Sequence, residues 1–316
     1  MRYILILFSI TLLFYSCDTL VNTDFPEPDK KLVVLSLFSP DSVMKIRLST
    51  VVDLNTPQKP DSVFNWVNGA ICSLYVENSF LEVLQDTGQG IYVSPSGYHP
   101  LTGKHYTIRV FHNNYPSVEA TSYVPDYVPI VSVEKKDSAL VESDGFSQMV
   151  LNLVKVRVNN TLDSMQFMEL FLTQASPHNE SWDTVKYDYL FMKYPGVILR
   201  SGVKTFKSIL FSSDNLAPGP NLLTVYYITP QIWSDHGLVF YKNLQTHLRV
   251  VSLDYYYYKL TSIMEDNYDD FWNGTYRPTP IYSNVKGGYG IFAGYVEAVD
   301  STSYPLSLDS SQIKIF

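Results

Sequence analysis

Alternation with a period of two residues is the feature that most limits what this chain can become. In the stretch 104–111, Tyr106, Ile108 and Val110 fall on one side of an extended backbone, and Thr107 and Arg109 on the other. Such a run buries one face as a strand and cannot do so as a helix. The same pattern, or a short continuous apolar run, recurs at 32–38, 43–50, 70–77, 80–84, 90–94 and 117–124. Turn chemistry separates these runs at Pro40-Asp41, at Asp86 with Gly88, and at His112-Asn113-Asn114. About seven short strands between residues 31 and 125 predict an immunoglobulin-like sandwich.

Pro125-Asp126-Tyr127-Val128-Pro129 reads as a boundary. Beyond it the spacing predicts strands over 148–159, 166–174, 187–194, 204–211, 222–228 and 246–252. One helix is expected near residues 254–270, with Asp254 as its N-cap and Tyr257, Leu260, Ile263, Met264 and Phe271 at helical spacing. It should stop before Trp272-Asn273-Gly274, since Pro278 and Pro280 forbid continuation. A final strand reaches Val299, and 307–316 reads as an edge strand. The expectation is a mainly β protein of two β-sandwich domains, immunoglobulin- or prealbumin-like, the second carrying the helix. Its parts would be a leader over 1–17, a tether over 18–30, and β domains over 31–125 and 126–316.

The leader opens with Arg2, continues as an apolar run to Phe14 and ends at Ser16-Cys17-Asp18. The run is short of the roughly 20 apolar residues that span a bilayer. A small residue directly before a cysteine fits a bacterial lipoprotein signal, with Cys17 lipidated as the mature N-terminus. Phe14 and Tyr15 depart from that pattern, and the alternative is an ordinary secretory signal. Acyl chains add about 0.8 kcal/mol per buried CH₂, so more than one chain makes a stable anchor. The tether, broken by Pro26 and Pro28, would reach at most about 45 Å at roughly 3.5 Å per residue. Cys72, the other cysteine, shares a strand face with Ala70, Leu74 and Val76 and should be a small buried hydrophobe.

A net charge of −8 without a basic run argues against nucleic acid and against charge-driven lipid binding. The 25 tyrosines favour pleated, half-buried surfaces. Asp-Ser/Thr-aliphatic triplets place Thr19, Ser42, Ser62, Ser138, Ser164 and Thr184 in a shared pattern. They resemble O-glycosylation acceptors of exported Bacteroidota proteins, and equally suit turn chemistry ahead of a strand.

No residue set announces a reaction. His99, His105, His112, His178, His236 and His247 lack metal-ligand spacing, and Gly-x-Ser-x-Gly is absent. Gly287-Gly288-Tyr289-Gly290 lacks the Lys-Ser/Thr of a phosphate loop, so its glycines should serve φ > 0 or close backbone approach. Glu265, Asp266, Asp269 and Asp270 crowd the end of the expected helix, a calcium candidate or a solvated acidic loop. Tyr255, Tyr256, Tyr258, Trp272 and Tyr276 form the candidate ligand or partner surface.

The C-terminal block carries a specific resemblance. A strand over 248–252, a Tyr-rich helix over 255–264, the proline loop 277–280 and the run Asn284 to Phe292 follow in the order seen in a Bacteroidota envelope lipoprotein family of unknown function. Cys17 and Leu32-Val33-Val34-Leu35 match its N-terminal features. Members often lie beside TonB-dependent receptors. The resemblance therefore implies a lipid-anchored outer-membrane accessory protein, binding a glycan or peptide ligand or a partner alongside such a receptor. A structural or adhesive surface lipoprotein is the alternative, and a glycan- or peptide-processing hydrolase is a third. The expected protein is not an enzyme and uses no cofactor; which side of the membrane it faces stays open.

Overall fold

In a computed structural model, the described residues are 29–51, 65–143, 148–160, 165–175, 184–186, 190–194, 197–198, 208–227, 232–234, 237–239, 243–265 and 280–303. The first strands are β1 (Leu32–Phe38), β2 (Lys45–Thr50), β3 (Asn65–Trp66), β4 (Ile71–Val76) and β5 (Ser79–Asp86). Then come β6 (Ile91–Val93), β7 (His105–His112), β8 (Tyr115–Tyr123), β9 (Ile130–Ser143) and β10 (Gln148–Asn160). They are followed by β11 (Phe167–Ala175), β12 (Thr184–Lys186), β13 (Leu190–Tyr194), β14 (Val197–Ile198) and β15 (Ile209–Ser212). The chain closes with β16 (Gly219–Tyr227), β17 (Ile232–Ser234), β18 (Gly237–Val239), β19 (Asn243–Val251), the helix α1 (Leu253–Glu265) and β20 (Tyr289–Ser303). The protein is mainly β, as the alternation requires.

One 13-stranded sheet runs in the order β12-β11-β19-β20-β1-β2-β6-β5-β4-β7-β8, with β15 on β11 and β3 on β2. A second sheet has the order β14-β13-β16-β10-β9. The long sheet folds over itself. Phe38 of β1 meets Tyr106 of β7 edge to face, ring centres 5.4 Å apart, and Phe292 of β20 at 4.6 Å. Between these layers lie Leu32, Val34, Ile46, Leu48, Cys72, Leu74, Ile108 and Val110, all buried. Cys72 thus sits in the core where its strand face places it, and burial pushes its thiol far above the ordinary range.

Strand β20 is the seam of the molecule. It pairs in parallel with β1, from Val33 opposite Tyr289 to Phe38 opposite Gly294. It then pairs antiparallel with β19, from Val251 opposite Tyr295 to Asn243 opposite Ser303. Phe292 fills the first core, whereas Val296 and Ala298 join Met168, Leu170, Leu172, Leu248 and Val250 against Val154, Val156, Val158, Leu223 and Val225 of the second sheet. The hydrogen-bonded sheet therefore carries the last described strand back beside the first, across the expected boundary at 125–129.

Tight backbone approach explains the glycine run. At Gly290, φ is +110°, and a Cβ would lie 1.9 Å from the Val34 carbonyl oxygen. Gly288 has no such φ, yet a Cβ there would come within 2.4 Å of the Leu32 carbonyl. These glycines let β20 lie against β1, which is the structural role expected of them.

Candidate functional site

Helix α1 lies on the opposite face of the long sheet from the main core. Ser252 starts it: its carbonyl accepts from the Tyr256 N–H at 3.0 Å, and its hydroxyl accepts from the Tyr255 N–H at 3.3 Å. Ser252, rather than the expected Asp254, is the N-cap. Asp254 works at longer range, accepting from the Ser122 hydroxyl at 2.8 Å and from the Tyr282 hydroxyl at 2.8 Å. Burial, and then the Asp254 carboxylate, push the Tyr282 hydroxyl up to about 12. These bonds tie the helix start to β8 and to the segment leading into β20.

Four consecutive tyrosines on a helix point in four directions, about 100° apart. Tyr255 points inward. It is 0% exposed, packed with Val251, Ile291 and Ala293, and so departs from the surface set in which the sequence placed it. Tyr256 and Tyr258 are half-buried, and the Tyr256 ring sits 4.6 Å from that of Phe167. Tyr257 is 42% exposed, its ring 5.6 Å from Tyr282. Leu253 and Leu260, about one turn before and after it on α1, are exposed, and so are Leu35, Ile281 and Tyr289. In register, Leu35 pairs with Ile291 and Val33 with Tyr289, so Leu35 and Tyr289 are diagonal neighbours on the helix-bearing face. Apolar rings and chains thus cover this side.

Charge lies beneath them. Glu169 of β11 is 0% exposed. It accepts from the Tyr255 hydroxyl at 2.6 Å, and it faces Arg249 at 3.4 Å and Lys259 at 3.5 Å. Arg249 donates to Glu297 at 3.0 Å, and its guanidinium stacks over Phe171 and Tyr295. Burial alone would raise the Glu169 carboxyl, but Lys259, the Tyr255 hydroxyl and Arg249 outweigh it and hold it below the ordinary range. Glu297 is held low in the same way, burial being overcome by His247 and Arg249. Burial pushes the Tyr255 hydroxyl well up, and Glu169 adds to that.

His247 extends the network. One ring nitrogen, Nδ1, meets Glu297, and Nε2 lies 2.7 Å from the Thr173 hydroxyl. Phe171 stacks on the imidazole, centres 4.5 Å apart. The order hydroxyl–imidazole–carboxylate is that of a hydrolytic triad. Thr173, however, is 3% exposed within a paired strand, so a substrate carbonyl has no approach to its Oγ1. Sequence spacing did not single out Glu169, Arg249 or Glu297. The signal was present in β11, where Glu169 shares a face with Phe167 and Phe171.

A second candidate surface is a groove of about 610 Å³ on the outer face of β4, β7 and β8, bordered by Lys286 and Gly287. Register orders the outer face of these strands in rows, of which Ile71, Phe111, Ser73, Arg109, Glu119 and Tyr75 line the groove. Ile71 stands opposite Phe111, 52% and 51% exposed. The next row is Val83, Ser73, Arg109 and Glu119, in which the Arg109 Nε donates to the Glu119 carboxylate at 2.6 Å. The third is Phe80, Tyr75, Thr107 and Thr121, with the Tyr75 ring 5.7 Å from Phe80 and under the Arg109 guanidinium. Lys286 joins β8 through a backbone bridge to Glu119.

Several predicted residues fall outside the described set: Cys17, Thr19, Ser62, Ser164, Asp266, Asp269, Asp270, Trp272 and Tyr276, with the tether up to residue 28 and the 307–316 segment. Glu265 ends α1, and Ser138 and Thr184 lie in β9 and β12; their side chains are also outside it. Ser42 is half-buried in the turn between β1 and β2. Among the described residues no group of three His, Cys, Asp or Glu side chains could hold a metal ion.

No protein-family model and no curated protein matches this sequence. Among solved structures, the chain is similar to the full-length major pilin SpaD from Corynebacterium diphtheriae, at 7% identity over 89% of this chain and 67% of the pilin, with a TM-score of 0.22. It is also similar to the collagen adhesin CNA from S. aureus, at 9% identity over 86% of this chain and 93% of the adhesin, with a TM-score of 0.18. At such scores neither likeness carries a functional argument.

Proposed function

We propose that this chain is a non-enzymatic accessory protein, held at an outer membrane by lipid on Cys17, whose helix-bearing face docks a TonB-dependent receptor. One observation carries the docking reading. Exposed Leu253, Tyr257 and Leu260 form one stripe of α1 over a buried layer of Tyr255, Ile291 and Ala293, and exposed Leu35 and Tyr289 lie on the sheet face that bears the helix. An apolar centre of large side chains on a rigid support is how protein interfaces are built. The lipoprotein leader and the resemblance of the C-terminal block supply the membrane and the kind of partner. The inaccessible Thr173 hydroxyl takes the Thr173–His247–Glu297 array out of a hydrolytic role.

Two readouts test the two halves. Cys17→Ala should move the protein from the membrane to the soluble fraction; retention in the membrane removes the anchor. A photo-crosslinking residue at position 257 should capture a TonB-dependent receptor in native membranes. Capture of none at 257, with the protein still anchored, removes the docking reading alone.

A further inference from the structure

We infer that the groove across β4, β7 and β8 is a second binding site, and that it takes a neutral oligosaccharide. The inference does not rest on the receptor reading. It rests on the order of the three rows. Charge occupies the middle of the lining, Arg109 with Glu119, and apolar or aromatic side chains flank it: Ile71 with Phe111 on one side and Tyr75 on the other. Ile71 and Tyr75 are four residues apart on one strand, about 13 Å at roughly 3.3 Å per residue.

A protein partner fits this order poorly. Protein interfaces put apolar groups at the centre and charge at the rim, and here the arrangement is reversed. An anion fits poorly too. The Arg109 guanidinium already donates to Glu119, whose carboxylate would face the incoming charge, and Lys286 is the one further cation bordering the groove among the described residues. A sugar chain meets every part. Its rings present CH faces to Ile71 and Phe111, while Tyr75, with its ring under the Arg109 guanidinium, positions that donor. Its hydroxyls both donate and accept, which suits a guanidinium and a carboxylate held side by side, with Ser73 and Ser117 beside them. A volume of about 610 Å³ lies in the range of ligand sites, and its open form suits a chain that passes through.

The test is a glycan array of neutral and acidic oligosaccharides, probed with the full mature chain in detergent. Wild type should retain one or more neutral glycans. Tyr75→Ala, Arg109→Ala and Glu119→Gln should each weaken that binding about tenfold or more, while Tyr257→Ala leaves it unchanged. All four side chains are exposed or partly exposed, and unchanged urea midpoints would show that the fold is kept. Retention of no neutral glycan overturns the inference. So does neutral-glycan binding that survives Tyr75→Ala and Arg109→Ala, or selective retention of acidic glycans. A dimer by light scattering that Phe111→Ala dissolves also overturns it, since the face would then be a contact between copies.

Discussion

The helix-bearing face and the groove face use the same residue types in opposite order. Around α1, charge is buried and apolar groups cover it: Glu169 is 0% exposed beneath Tyr255, while Tyr257 and Leu260 meet solvent. On β4, β7 and β8 the charged pair is in the open, with Arg109 58% and Glu119 38% exposed, and apolar rows lie to either side. The difference separates two tasks. Buried charge must be paired, as Glu169 is with Tyr255, Arg249 and Lys259, and those partners tie helix to sheet. Exposed charge contributes little to stability and stays available to a ligand.

The largest expected effect comes from cutting the buried side. Glu169→Ala would leave the Tyr255 hydroxyl, Arg249 and Lys259 without their shared acceptor. It should cost about 3–5 kcal/mol in urea unfolding. A loss below 1 kcal/mol would mean that the network is not what holds the helix. Acid is the intermediate probe. Glu169 and Glu297 are both held below the ordinary carboxylate range in the folded state. Their stabilisation is therefore complete above the unfolded value of about 4.3 and is lost as pH falls through the lower folded values. The urea midpoint should drop on acidification below about pH 5, and Glu297→Gln should flatten that drop. A slope unchanged by the substitution would break this half of the comparison. The smallest effect belongs to the open side: Arg109→Ala should leave the urea midpoint unchanged, and a clear drop would mean that this pair also holds the fold.

The strands were legible because each buries one face, and alternation survives in β2, β7 and β10 with little interruption. Strand β9 was not. Its pairing with β10 shifts register between Leu151 and Leu153, where the chain bulges past Lys136, and a bulge breaks the period on which recognition depends. The parallel meeting of β1 and β20 was also invisible, because no local pattern names a partner so distant in sequence. At the helix start, Asp254 and Ser252 are both good cap residues; the choice fell to Ser252 because Ser122 and Tyr282 engage Asp254 from elsewhere in the fold. The aromatic surface was half legible. Tyr256 and Tyr258 lie on the helix where the pattern put them, but which of four adjacent tyrosines turns inward depends on Glu169, a strand residue far away in the chain. The groove left no sequence signal, since its rows exist only once three strands are in register.

The central claim is that the apolar helix face meets a receptor. Affinity purification from native outer membranes tests it most directly, comparing wild type with Tyr257→Ala/Leu260→Ala. A TonB-dependent receptor should co-purify with wild type and be lost with the double variant, while membrane anchoring and urea midpoint stay unchanged. A receptor recovered equally with both proteins, or with neither, would contradict the account.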